Sequence, residues 1–199
     1  MISHQKLKIS FYQQPTFEIA KNLLGKFLIH RSCGIKNIGK IVETEVYYGL
    51  DDLASHASRG KTKRTEIMFG PPSRAYIYLV YGIYHCFNIV TEKTNFPAAI
   101  LIRALEPISP TIANYSENIH KIDSKPASGP GKLCNYLKIN KSLNGVSLLG
   151  NVLYIEDRGV EILENNIVAT KRIGINYAKH CINYNWRFYI KNNNFVSKI

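Results

Sequence analysis

Between Ala75 and Val90 the chain reads Ala-Tyr-Ile-Tyr-Leu-Val-Tyr-Gly-Ile-Tyr-His-Cys-Phe-Asn-Ile-Val. β-branched and aromatic residues crowd both sides of Gly82, a composition that suits pleated backbone. A hairpin turning at the glycine accommodates both halves, with Tyr76 and Tyr78 on one strand face and Tyr81 and Tyr84 at the tip. A second run, Ile41-Val-Glu-Thr-Glu-Val-Tyr-Tyr48, alternates with the two-residue period of a strand. Val42, Thr44, Val46 and Tyr48 then share one face, apolar enough to meet a core, while Ile41, Glu43, Glu45 and Tyr47 share the other. A carboxylate beside an aromatic ring suits general-base work on a flat substrate. It equally suits an edge strand whose glutamates face water.

Strands dominate the remainder. Lys26 to Arg31, Ala98 to Leu105, Val152 to Glu156, Val168 to Ile175 and Trp186 to Ile190 all read as extended. Pro15-Thr16, an apolar-spaced stretch and then Gly25 predict a short helix with a threonine N-cap and a closing glycine. Ser128-Gly-Pro-Gly131 opens a second, with Leu133, Cys134 and Leu137 on one side. Asp51 to Arg59 reads as a turn or short helix, the basic segment to Ser73 as an ordered loop, and Pro107 to Ile122 as helical or irregular. No regular βαβ alternation appears. The fold class is therefore α+β: a curved, mostly antiparallel or mixed sheet with flanking short helices and a protruding hairpin. At 199 residues and 45% hydrophobic content, one domain spanning 1–199 is expected.

Several function classes drop out. No apolar run approaches the ~20 residues of a membrane helix, and the first residues lack a secretory apolar core, so a cytoplasmic chain is expected. Cys33, Cys86, Cys134 and Cys181 stand far apart with no Cys-x-x-Cys pair, so no structural metal and no disulfide is expected. The Gly-Pro-Gly loop before the second helix presents free amides suited to a phosphate, but it lacks the Lys-Ser/Thr ending of a nucleotide-binding loop.

Charge points elsewhere. Twenty-six Lys and Arg against 14 Asp and Glu give a net charge of +12. Lys61, Lys63 and Arg64 sit in a basic loop, and residues 165–199 carry Lys171, Arg172, Lys179, Arg187, Lys191 and Lys198 with no acid. Such a field attracts a polyanion, and interleaved tyrosines add stacking surfaces for unpaired bases. A bulky ring at a hairpin tip is a candidate wedge between base pairs. Arg103 interrupts an apolar strand, and a buried charge needs a partner, with Glu43 and Glu45 the obvious ones. Asp51-Asp52 suits helix capping better than metal binding. His56 stands alone, which is more often structural than catalytic.

Taken together, the segments resemble the alkyladenine (3-methyladenine) DNA glycosylase family, the single-domain type of mammals and many bacteria. The matching blocks include Ala20–Lys26, Ile41–Tyr47, Asp51–His56, Met68–Pro72, Tyr76–Tyr84, Cys86–Asn88, Leu101–Pro107, Ser128–Cys134 and Arg187–Tyr189, in family order. The resemblance implies a monofunctional enzyme that flips alkylated purines out of double-stranded DNA and cuts the N-glycosidic bond without a cofactor, as a monomer. Glu45 would be the general base activating water, with Arg103 holding carboxylate and water. Tyr47, His56 and Tyr78 would wall the base pocket, and Asn88 would disfavour guanine. Tyr81 would fill the space the flipped nucleotide leaves. Lys61, Lys63, Arg64 and Lys132 are expected at the DNA backbone. The alternatives are a damage-binding module without catalysis and a glycosylase/lyase working through a lysine Schiff base.

Two departures stand out. Where the family usually has Arg-Asn after the basic loop, this chain has Arg64-Thr65. Where it commonly has glycine after Met-Phe-x-x-Pro, this chain has Ser73-Arg74. Serine resists conformations open to glycine, which bears on the path of that loop.

Overall fold

The computed structural model describes residues 4–108 and 124–198. Most of the expected helical or irregular stretch from Pro107 to Ile122 lies outside the described residues. Nine strands join in one sheet: β1 (Gln5–Lys6), β2 (Phe27–Ser32), β3 (Ile35–Tyr48), β4 (Ala75–Val80), β5 (Tyr84–Val90), β6 (Ala98–Ile108), β7 (Leu153–Asp157), β8 (Ile167–Thr170) and β9 (Arg187–Ile190). Their order is β1-β7-β2-β3-β6-β5-β4, with β9 pairing both β3 and β8. Every one of these pairings is antiparallel. The α+β expectation holds, and of the two sheet types expected the antiparallel one is present.

Among the described residues three short α-helices flank the sheet: α1 (Ile9–Tyr12), α2 (Thr16–Asn22) and α3 (Pro130–Tyr136). The main core gathers Ile19, Leu23, Leu28, Phe87, Ile100 and Leu133, joining α2 and α3 to the sheet. Thr16 is the first helical residue of α2 rather than its cap. Its hydroxyl turns instead to Thr91 (2.8 Å) and Glu92 (2.7 Å), so a tertiary bond outcompetes the local one. No helix among the described residues is long and apolar enough to cross a membrane.

Strand β3 organises everything else. On one edge it pairs with β2 through residues 35–40 and then with β9 through 43–45, while β6 runs along the other edge. At the change of partner the register against β6 slips twice, between Ile41/Glu43 and between Glu43/Thr44. A bulge of this kind re-aims side chains. Simple alternation put Ile41 with the glutamates, but Ile41 packs in the main core with Val46. Thr44 bonds the Ala20 carbonyl of α2, while Glu43 and Glu45 both face Arg103 on the opposite side. Arg103 is the β6 residue that the slip leaves without a partner on β3. Gly39 permits the close approach of β3 and β6, since a Cβ there would meet Leu105 at 2.8 Å.

The basic loop is ordered by one of the departures. Thr65 is buried, its hydroxyl donating to the Gly60 carbonyl (3.0 Å) and accepting from the Thr62 amide (2.9 Å). The other departure is strained. Ser73 holds φ at 67°, a left-handed conformation that costs a non-glycine residue about 1–2 kcal/mol. Its amide and carbonyl are fixed by Val90 and Leu148, so the path that suits glycine is kept without it.

Candidate active site

Glu45 is fully buried. Its Oε1 accepts from the Tyr47 hydroxyl (2.6 Å), and its Oε2 accepts from the Ile173 amide (3.1 Å) and faces Arg103 Nη1 (3.2 Å). Burial works against the Arg103 charge, but Glu45 and Glu43 outweigh it and push the guanidinium pKa up. Burial and then the Glu45 charge push the Tyr47 phenol well above its usual range, so Tyr47 stays a proton donor to the carboxylate.

In front of Tyr47 opens a pocket of about 330 Å³ including its solvent-filled mouth. Tyr47, His56, Tyr76, Tyr78, Asn88 and Tyr177 line it. Glu45 lies behind this lining, reached through the Tyr47 hydroxyl. Tyr76 and Tyr78 share a face of β4 with ring centroids 5.3 Å apart, and His56 meets Tyr78 edge-on at 4.5 Å. Asn88 is buried and donates from Nδ2 to the Tyr76 carbonyl (3.1 Å), which fixes its amide at the pocket wall. His56 Nδ1 pairs with the Tyr76 hydroxyl at 2.9 Å. Burial, then Arg64 and Arg59, lower its pKa to about 4, so the imidazole is neutral near pH 7.

The remaining expected residues lie outside the pocket. Tyr81 stands at the hairpin tip, 90% exposed. Tyr84 closes the turn opposite Val80 and stays 48% exposed, with one side of its ring against Gly131, where a Cβ would meet it at 3.0 Å. Lys61, Lys63 and Lys132 are exposed. Arg64 is exposed too, but its guanidinium leans over the Tyr78 ring at 5.5 Å and approaches His56 Nε2 at 3.5 Å, beside the pocket.

Sequence reasoning missed a second layer. Asp51-Asp52 do not cap the short helix that follows, since Ser55 holds that place and accepts from the Ala57 amide; Asp52 instead accepts from the Ala54 amide in the preceding turn and takes a bidentate pair from buried Arg172 at 2.6 and 2.7 Å. Arg172 in turn sits over the Tyr47 and Trp186 rings at 5.1 and 5.0 Å, holding Tyr47 in place. Arg187 is buried against Glu43 (2.8 Å). Two of the basic residues counted in the acid-free stretch are thus internal, which trims the surface field. Tyr177, at the pocket mouth, carried no signal beyond being one more tyrosine. Among the described residues no group of three His, Cys, Asp or Glu side chains is arranged to hold a metal ion.

Fold and site together present a tyrosine-lined pocket beside a buried, arginine-held carboxylate, an arrangement that suits an enzyme acting on a flat ring. Comparison with known proteins makes this specific. Residues 10–194 match the family model described as methylpurine-DNA glycosylase (MPG). A protein of Alkaliphilus oremlandii is 50% identical over 97% of this chain and 99% of its own. A Bacillus cytotoxicus protein is 46% identical over 94% and 97%, and one from Bacillus cereus 47% identical over 95% and 97%. All three carry the name "Putative 3-methyladenine DNA glycosylase". The chain belongs to the methylpurine-DNA glycosylase family, and is a DNA-repair hydrolase acting on N-glycosyl bonds.

Proposed function

We propose that this chain releases alkylated purines, 3-methyladenine and 7-methylguanine first and hypoxanthine as a further candidate, using water activated by Glu45. The observation that carries this reading is the placement of Glu45: fully buried, held by Arg103 and the Ile173 amide, one hydroxyl away from the aromatic pocket. An extrahelical nucleotide is required because the stack hides the glycosidic bond, and flipping costs a few kcal/mol, least at damaged pairs. Tyr47 and Tyr78 then offer electron-rich faces to a base made cationic by alkylation, worth about 0.5–2 kcal/mol per contact. The neutral His56 adds no charge to repel it.

A carboxylate has about four acceptor sites; Tyr47 and the Ile173 amide take one on each oxygen, and the Arg103 charge stands 3.2 Å from Oε2. The site left on Oε1 suits the nucleophilic water. Its oxygen bonds to C1′ as the C1′–N bond breaks, the bonding pair neutralises the cationic purine, and the water's proton passes to Glu45. An abasic site remains. A cationic purine is already a good leaving group, so this scheme needs no acid; neutral hypoxanthine would leave as an anion, and its release additionally requires a proton donor to the base. Among the described residues lining the pocket there is no lysine to form a Schiff base, which favours the monofunctional course over the lyase alternative. Salt-sensitive DNA binding as a monomer in the cytoplasm, associated with the nucleoid, completes the proposal.

Glu45→Gln should slow base release by about 10²–10⁴-fold while duplex affinity is kept. The check is chromatography of bases freed from methylated and hypoxanthine-containing duplexes. Release by the variant at the parent rate, or loss of binding alone, would remove Glu45 as the base. Borohydride trapping of a covalent adduct would instead establish the lyase course.

A further inference from the structure

Behind the carboxylate assigned as base runs a closed circuit of buried charge, and its hub is the other glutamate. Glu43 is fully buried, and its Oε1 takes Arg103 Nε (3.2 Å), Arg187 Nη1 (2.8 Å) and Ser197 Oγ (3.0 Å). Its Oε2 takes the Ser197 amide at 2.7 Å. From this hub two arms reach Glu45 Oε2. The first is Arg103 itself, whose Nη1 lies 3.2 Å from that oxygen. The second runs through Arg187, whose Nε donates to the Lys171 carbonyl (3.1 Å), two residues before the Ile173 amide that bonds the same oxygen (3.1 Å). Glu43, Arg103, Glu45, Ile173, Lys171 and Arg187 therefore close a ring.

We infer that Glu43, Arg187 and Ser197 are positioning residues that fix the Glu45 carboxylate for attack. The inference rests on the reading of Glu45 as general base. A guanidinium is a rigid planar fork, so anchoring Arg103 at Nε aims its Nη1. Anchoring Arg187 at Glu43 sets the backbone that presents the Ile173 amide. The ring balances two carboxylates against two guanidiniums, which is the condition for keeping all four buried. Stability alone does not account for it, since well-packed apolar residues of similar volume generally serve at least as well as a buried ion pair. Orientation does account for it, because a misplacement of about 1 Å at a reacting group can cost roughly 10²-fold in rate.

Ser197→Ala removes one hydroxyl bond from the hub and leaves the backbone amide on the other oxygen. The full-length chain carrying this change, Ser197→Thr or Glu45→Gln is assayed on one methylated duplex under single turnover, with duplex affinity and melting temperature measured alongside. Ser197→Ala should release base about tenfold more slowly at saturating enzyme, with affinity and melting temperature close to the parent, and threonine should restore the rate. A parent-like rate for Ser197→Ala, or loss of affinity at an unchanged rate, overturns the inference. If the alanine variant melts early, Arg187→Lys replaces it, keeping the charge but losing the fork between Glu43 and Lys171. A parent-like rate there overturns the inference equally. Should Glu45→Gln itself release base normally, the failure lies in the assignment of the base and not in the ring.

Discussion

His56 shows how much a single environment changes a residue that the sequence presented as ordinary. Half-buried beside tyrosines and facing Arg64 and Arg59, it has its pKa lowered to about 4. In the unfolded chain a histidine binds its proton near pH 6.5. Between those values the unfolded state carries more protons, so stability falls as pH drops through that window. His56→Gln should flatten the decline of melting temperature between pH 6.5 and about 4, and the parent His56 resonance should titrate near the lower value. A midpoint near 6.5 would show the ring to be solvated. At this scale Glu45, Tyr47 and Arg103 were legible because strand alternation and an isolated charge announce themselves locally. Arg172 and Arg187 were not, because their acid partners lie 120 and 144 residues away in sequence.

The protruding hairpin is the element that sequence reasoning located best, and its turn carries a conformational cost. Tyr81 and Gly82 hold φ at 52° and 71°, and positive values suit glycine but not tyrosine. A bulky ring kept 90% exposed in a strained turn calls for a use outside the free protein, and insertion into DNA supplies one. Tyr81→Gly should leave the melting temperature unchanged or slightly higher, yet shrink the fluorescence response of a base analogue beside the lesion. An undiminished response would clear Tyr81 of the wedge role. Other elements were misjudged where tertiary bonds decide. The strand expected from Val168 to Ile175 stops at Thr170, because the next residues leave β8 to present the Lys171 carbonyl to Arg187 and the Ile173 amide to Glu45. The double slip in β3 has no local marker either, since it arises where one neighbour strand gives way to another.

For the molecule as a whole, the net charge of +12 governs approach to DNA, but its distribution is narrower than the sequence suggested. Buried Arg172 and Arg187 are spent on Asp52 and Glu43. Exposed Lys61 and Lys63 remain available to phosphates. Replacing both with alanine should reduce the slope of log affinity against log salt by about 1.8, and an unchanged slope would mean that the loop touches no phosphate. Arg64→Ala should weaken binding of a damaged duplex more than that of an intact one, since Arg64 rests on the pocket wall at Tyr78.

The β-rich composition, the hairpin, the charge and the family were fixed by the sequence itself, because each depends on neighbours within a strand or on summed residue types. Which face Ile41 takes, that the Ile173 amide joins Arg103 on Glu45, and that Arg172 and Arg187 face inward were decided only by the tertiary structure. Those outcomes depend on groups far apart in the sequence, where strand pairing sets the face of a side chain and burial makes every unpaired charge costly and so dictates its partner.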